Sequence, residues 1–448
     1  MKRIITLVAI LLILAMMPMA LFSCNSDGTD ATSGTSATTD TSATTETSAT
    51  TEITTDTSAT TEGTTDTSAT SDTTVKEEDV VEGTVYKITE IMDNLKINGR
   101  YTVTNRGLAC DNVGSGIEFQ GTMKGKVYLK VNTVTVSGRS DGIYYTVYVD
   151  GVRQEERLRA KIGKAGTDML LADFGETEGE HHIRVVKQTE ARYARGQFTH
   201  LTIDGTLGER PAQRPYFVEF VGSDLICGMG NYNGTPEQDP STAQTSMYED
   251  GSASVSFITA EALVADISII GVSGMGVAGS WFKGDIGGGV TGHITAPFYY
   301  GMNSYYRNTS EKYDFENGRT PDLIVLNIGK NDNNIPVNER PTDEVFRQTA
   351  KEYIEFLKAT HGEDVKIIWT YDITEANPEK NLEANDCRNA IAAEVLEELG
   401  GEEAGLYIYQ IYTNRLGGQE HTDAEGHVTA AKGLLDFIRE KGILPVGE

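Results

Sequence analysis

Basic residues and cysteines are scarce in this sequence for its size. Over 448 residues, 38 Lys and Arg face 66 Asp and Glu, a formal charge of -28. Such a chain is repelled by polyanions, which sets nucleic acid and anionic membrane surfaces aside as partners. The length suggests about two to four domains at roughly 100 to 200 residues each, before any unfolded part is subtracted. Only four cysteines are present. Apart from Cys24 they are Cys110, Cys227 and Cys387, an odd set that cannot close a disulfide framework, and none has paired metal-ligand spacing. They read as packed thiols, with one bridge left open.

What is present begins with an export pattern. Lys2 and Arg3 precede an apolar run from Ile4 to Leu21 that ends in Leu21-Phe22-Ser23-Cys24, the layout of a secretory signal. The ending resembles a bacterial lipobox, so 1–24 reads as a lipoprotein signal peptide with Cys24 the lipidated N-terminus after cleavage. An uncleaved anchor is the alternative, because the run is close to spanning length. Either way the rest of the chain is expected at the extracellular face of a bacterial cell membrane, and any membrane contact runs only through this N-terminal anchor. From Asn25 to Thr74 the chain is Thr, Ser and Ala with nine acids, no base and a repeated TSAT. Such a segment buries too little apolar surface to offset its chain entropy, so 25–78 reads as a disordered spacer.

Two folded domains are expected beyond it. Residues 79–213 show period-2 alternation, with Val127, Leu129 and Val131 against Tyr128, Lys130 and Asn132, and again at Tyr145, Val147 and Val149. Turn dipeptides Asp150-Gly151 and Asp204-Gly205 follow such runs, which points to an all-β sandwich or jelly roll. In 214–448 the apolar strands Phe217 to Val221, Ile267 to Val272, Leu323 to Ile328, Val365 to Trp369 and Leu406 to Ile411 alternate with helical stripes. These are Val255, Ile258, Ala262 and Leu263; then Phe346, Ala350, Tyr353, Ile354 and Leu357; then Val428, Ala431, Leu434, Leu435 and Ile438. The pattern predicts a parallel sheet covered on both faces, with chemistry beyond the carboxyl ends of its strands.

At those ends stand VEFVGSDLICGMGN from Val218, SGMG from Ser273, VLNIGKNDNN from Val325 and HTDAEGHVTAA from His421. The first domain adds Ile97-Asn98-Gly99-Arg100, GSGIEFQGT from Gly114, YVDG from Tyr148 and KQTEARYARGQF from Lys187. Together these resemble the SGNH (GDSL-like) hydrolases, and more narrowly carbohydrate esterase family 2, over about residues 82 to 440. The resemblance implies an α/β SGNH-hydrolase with a flavodoxin-like parallel sheet, preceded by a jelly-roll or sandwich domain. It also implies removal of O-acetyl groups from plant cell-wall polysaccharide such as xylan or mannan, without a cofactor or metal. By position, Gly274 N–H and the Asn331 amide become the oxyanion donors and His421 the base, while His427 reads as a packing residue.

The sequence departs from the family at the nucleophile. The third residue of GDS is the nucleophilic Ser, and that position here is Asp224; Ser223 occupies the place of the Asp. Moved one residue along the turn, the Ser223 hydroxyl is expected to point away from His421, and the Asp224 carboxylate to take the oxyanion donors and pair with His421. Beside the His, the usual orienting acid is missing: Gly418 and Gln419 fill its places, Glu420 should point elsewhere, and Thr422 replaces a Pro. Some family members use a backbone carbonyl there instead.

Several functions stay open on this reading. One is a working esterase, through a rearranged Ser223 or water activated by Asp224 and His421. Another is a pseudo-esterase that binds polysaccharide. Asp224 as a nucleophile on an alkyl carbon and a purely structural surface protein complete the set. Tyr232, Trp281, Phe282, Phe298, Tyr299, Tyr300, Tyr305 and Tyr306 fall in segments expected at the cleft mouth, where aromatic faces suit sugar rings as well as ordinary packing. Tyr232 and Trp281 are the preferred substrate-binding candidates, because their segments follow Gly-rich turns.

Overall fold

The computed structural model describes residues 83–135, 142–235, 245–285, 291–303, 311–374 and 388–445. The signal segment, Cys24, the Thr/Ser spacer, Tyr305, Tyr306 and Cys387 lie outside the described residues. Contacts divide the chain into Met1–Asp79 and Val80–Glu448, and the fold below is that of the second unit. Among the described residues no helix is long and apolar enough to cross a membrane.

The antiparallel layer is organised by one long strand, Gly116–Thr135. Ile117, Phe119, Met123, Val127, Leu129 and Val131 are all buried on one side of it, as period-2 alternation requires. Its edges change partners along its length: residues 116–123 pair with Gly179–Lys187, and residues 126–133 with Gly163–Asp173. The handover falls at Gly125, whose φ of +60° bends the strand while its N–H is donated to the Gly175 carbonyl at 2.7 Å. The strand Gly142–Val149 differs from expectation. Tyr145 and Val147 are buried as predicted, but so are Tyr144 and Thr146, because the α/β part covers that second face. There Thr146 Oγ1 meets Ser252 Oγ at 2.6 Å, and Tyr148 stacks on Phe257.

The second layer is a parallel sheet of β1 (Tyr216–Gly222), β2 (Ala265–Gly271), β3 (Leu323–Asn327), β4 (Lys366–Thr374) and β5 (Leu406–Thr413). The spatial order is β2-β1-β3-β4-β5, all neighbours parallel, which is the flavodoxin-like order. A short helix α1 (Asp224–Cys227) follows β1, and α2 (Val255–Ala262), α3 (Ala296–Tyr300), α4 (Lys330–Asn334), α5 (Asp343–His361), α6 (Asn389–Glu398) and α7 (Ala424–Glu440) complete the layer. One core packs α2 and α7 on the sheet; the other packs α3, α5 and α6 on the opposite face.

Helix α5 shows why these segments fold where they do. Thr342 caps it by accepting the Val345 N–H at 3.2 Å, Asp343 and Glu344 lie in its first turn, and Lys358 and His361 in its last. All five residues of its predicted stripe are buried. Burial of such side chains is worth about 1.5–3 kcal/mol each, so packing holds this helix more than propensity does. In α7 the stripe is placed differently from the prediction: Val428 is 55 % exposed, and the neighbouring His427 takes the inner face with Ala430, Ala431, Leu434, Leu435 and Ile438.

The two layers are locked by buried charge. Arg100 of the Ile97–Arg100 motif donates to the carbonyls of Tyr300 and Met302, lies 3.6 Å from Glu219, and sits between the rings of Tyr300 and Tyr313. Lys96 reaches Asp266 on β2 at 2.6 Å. That motif is therefore a joint between layers.

Candidate active site

The strand-end motifs converge on one cleft of about 820 Å³, lined among others by Arg192, Ser223, Asp224, Gly274, Trp281, Phe282, Asn331 and His421. Ser223 caps α1 and Asp224 is its first residue, so the chain turns sharply between them. Gly274 lies past the end of β2 with φ +90°, a conformation that leaves its N–H free to face β1. Asn331 stands in α4 after β3, and His421 in the loop between β5 and α7.

The Ser223 hydroxyl takes a position that sequence reasoning assigned to the carboxylate. Its Oγ accepts the Gly274 N–H at 2.8 Å and the Asn331 Nδ2–H at 2.8 Å, and donates to Asp224 Oδ2 at 2.7 Å. A hydroxyl has one proton to give and two lone pairs to accept with. All three are in use. The expectation that Asp224 would occupy the two N–H donors is corrected here: residue 223, half in the helix cap, points its short side chain across to β2 and β3. Asp224, one position on, points toward the histidine.

Asp224 Oδ1 lies 3.5 Å from His421 Nε2, with the two side chains 29 % and 27 % exposed, so the pair is open to the cleft. Burial raises the Asp224 carboxyl, but the His421 hydrogen bond and charge, the Ser223 hydroxyl and the Lys330 ammonium outweigh it and hold it well below the usual carboxylate range. Burial also works against the His421 imidazolium; Asp224, aided by the Gly418 carbonyl, outweighs it and the pKa ends above its usual 6.5. The contact thus favours carboxylate and imidazolium over the neutral pair. A histidine in that state has no lone pair on Nε2 with which to remove a proton.

His421 is oriented by backbone. Its Nδ1 is 3.0 Å from the Gly418 carbonyl, presented by a turn in which Gln419 and Glu420 both have positive φ, 57° and 60°. Two non-glycine residues in the left-handed region mark stored strain beside the imidazole. The Glu420 side chain is exposed and faces Arg415. Asp423 caps α7 through the Gly426 N–H at 2.8 Å. His427 is fully buried, its Nδ1 accepts the Val255 N–H at 3.1 Å, and burial pulls its pKa down to about 3. It is a neutral packing residue.

Of the aromatic candidates, Trp281 lines the cleft and is 55 % exposed, and Phe282 lines it beneath Arg192. Tyr232 does not line it: its ring stacks on the Arg157 guanidinium, 3.7 Å from the centroid. Tyr299 and Tyr300 are buried and Phe298 packs on the same core, so these three serve the fold. Cys110 and Cys227 are both buried.

Sequence reasoning missed three supports. Asp332 accepts the N–H groups of Val277, Ala278 and Gly279 at 2.7–2.8 Å and so shapes the loop after Gly274. Glu190 and Arg192 come from the antiparallel layer and hold Ser273. The KQTEAR stretch was visible in the sequence, but nothing local tells which loop it meets.

No protein-family model matches the chain. Over 239 residues it is 28 % identical to the cellulase/esterase CelE of Acetivibrio thermocellus, a match that covers 52 % of this chain and only 26 % of CelE. The chain thus spans about a quarter of that relative's length. Among solved structures, a family two carbohydrate esterase from Cellvibrio japonicus superposes with a TM-score of 0.64 at 16 % identity, covering 80 % of this chain and 98 % of the other. An acetyl xylan esterase from the rumen bacterium Butyrivibrio proteoclasticus gives 0.65 at 21 %, covering 81 % and 99 %. A family two carbohydrate esterase from Clostridium thermocellum in complex with cellohexaose gives 0.63 at 21 %, covering 78 % and 100 %. With the strand order above, these likenesses establish that the chain has the fold of the family two carbohydrate esterases: an SGNH-type parallel sheet preceded by an antiparallel β layer.

Proposed function

We propose that this chain is a polysaccharide-binding protein on a carbohydrate-esterase frame, whose serine-esterase chemistry is suppressed by the interchange of Ser223 and Asp224. Domains 79–213 and 214–448 are carried on the 25–78 spacer and tethered through Cys24 at the extracellular face of a bacterial membrane. Its ligand is acetylated plant cell-wall polysaccharide, held along the cleft beside Trp281, with neither metal nor cofactor. The observation that carries the reading is the saturated Ser223 hydroxyl: it fills the pair of donors, Gly274 N–H and Asn331 Nδ2–H, that an ester oxyanion needs. The second support is the Asp224–His421 contact, which raises the imidazole pKa and so favours its protonated form. A solved relative of the same fold is described in complex with cellohexaose, and the open cleft with its exposed tryptophan suits a similar chain.

A second reading, a working esterase with Ser223 as nucleophile, draws on one contact: the hydroxyl already gives its proton to Asp224, whose other oxygen faces His421. Calorimetric titration with cellohexaose and acetylated xylo-oligosaccharide, alongside acetate release by the native protein and Ser223→Ala, separates the two. The binding reading expects saturable binding and no acetate release. Acetate release that disappears in Ser223→Ala overturns it.

A further inference from the structure

We propose that Glu190, reaching over from the antiparallel layer, is the positioning residue of the Ser273–Gly274 turn, and that Glu249 beside it anchors the Glu190 backbone by accepting its N–H. The inference rests on the geometry of the turn and holds whether or not the cleft turns over esters.

Glu190 is fully buried, and both of its oxygens are occupied by one residue of the other layer. Oε2 accepts the Ser273 N–H at 2.6 Å and Oε1 accepts the Ser273 hydroxyl. Arg192 closes the same residue from the other side by donating to the Ser273 carbonyl at 2.7 Å. Every polar group of Ser273 is thus tied to the segment 187–192. The next residue is Gly274, whose N–H is aimed at Ser223 and whose carbonyl accepts the Trp281 N–H at 3.0 Å. The direction of that donor, and the seat of the cleft tryptophan, both hang on a turn that Glu190 fixes.

A second carboxyl stands against the first. Glu249 Oε2 accepts the Glu190 backbone N–H at 2.9 Å, and Glu249 is also fully buried. Burial first, and the Glu190 charge next, push the Glu249 carboxyl well above its ordinary range, with Lys187 opposing. Among the described residues Glu249 Oε1 has no hydrogen-bond partner, so what Glu249 gives Glu190 is the acceptor for its backbone N–H, while the Glu190 oxygens accept from Ser273. Lys187, Tyr193 and Cys227 interact with the pair, and Arg192 lies beside it on the Ser273 carbonyl. Lys187 donates to the carbonyls of Asp111 and Thr189 and so braces the segment itself.

The two acids consequently differ in what an amide can replace. Gln at 249 keeps a side-chain oxygen that can accept the Glu190 N–H. Gln at 190 sets an NH2 group against one of the two Ser273 donors. The test is amide hydrogen exchange, read by mass spectrometry on the full chain, in peptides covering 272–281 and, as a fold control, the β3 strand. Glu190→Gln should speed exchange in 272–281 by about tenfold or more, the loss expected for a buried hydrogen bond to a charged acceptor, with β3 unchanged. Glu249→Gln should leave both peptides within about twofold of the native protein. If Glu190→Gln does not fold, Ser273→Ala, which removes one of the two donors and keeps the other, should speed exchange in 272–281 alone. Equal acceleration by Glu190→Gln and Glu249→Gln, or no acceleration by Glu190→Gln or Ser273→Ala, overturns the proposal.

Discussion

Replacing Ser223 by Ala and Asp224 by Ser together should create an esterase where Asp224→Ser alone creates a poor one. The single change places a hydroxyl next to His421 and removes the carboxylate that raises the imidazole pKa. It leaves the Ser223 Oγ at 2.8 Å from both N–H donors, so an ester carbonyl still finds them taken. Losing one donor of an oxyanion hole costs about 10² to 10³ in kcat. Two donors are occupied here, but paired effects do not add, so the figure for one donor is the floor. The double variant should therefore exceed Asp224→Ser by at least about 10²-fold, and the gain should lie in kcat more than in KM, because the donors act on charge that develops in the transition state. Initial rates of 4-nitrophenyl acetate hydrolysis and of acetate release from acetylated xylo-oligosaccharide measure this, with His421→Ala in the same background as the blank. Equal rates for the single and double variants, in proteins of unchanged melting temperature, would refute the claim that the Ser223 hydroxyl blocks the donors.

Three further outcomes follow from the same geometry. In Asp224→Asn the His421 imidazole should titrate below its native value, followed by NMR of its ring protons; the native stabilisation from His421 is complete below about pH 6.5 and lost as pH rises through the raised pKa, so this variant should lose that alkaline decline. His427 is held neutral down to about pH 3 while the unfolded chain takes up its proton near 6.5, so stability should fall on acidification by up to about 1.4 kcal/mol per pH unit between those values, and urea melts of His427→Gln should lack that component. Trp281→Ala should weaken cellohexaose binding about fivefold, roughly 1 kcal/mol of ring contact, without moving the melting temperature, because the side chain is 55 % exposed and supports little of the core.

The periodic parts of this molecule were readable in one dimension. All five α5 stripe positions are buried, and each of the five predicted parallel strands is present, because 3.6- and 2-residue periods report directly on which side of an element meets the core. The same logic failed by one residue in α7. Val428 is apolar and His427 polar, yet His427 is inside, since a histidine that accepts the Val255 N–H can be buried where pattern alone prefers valine. The candidate site was legible as a set of residues but not as an arrangement. Tyr232 left the cleft for Arg157, a partner 75 residues earlier, and Glu190 meets Ser273 across 83 positions.

The sequence by itself determined the alternation of strands and helices, the four loops that meet beyond the strands, and the adjacency of a serine at 223 and an acid at 224. Only the tertiary structure decided where those two side chains point. Periodicity specifies the direction of a side chain inside an element, where each residue's direction follows from its neighbours'. At the cap between β1 and α1 no such period holds. The direction of Ser223 is set by the convergence of three separate strand ends, and they turn its hydroxyl onto Gly274 and Asn331 while Asp224 faces His421.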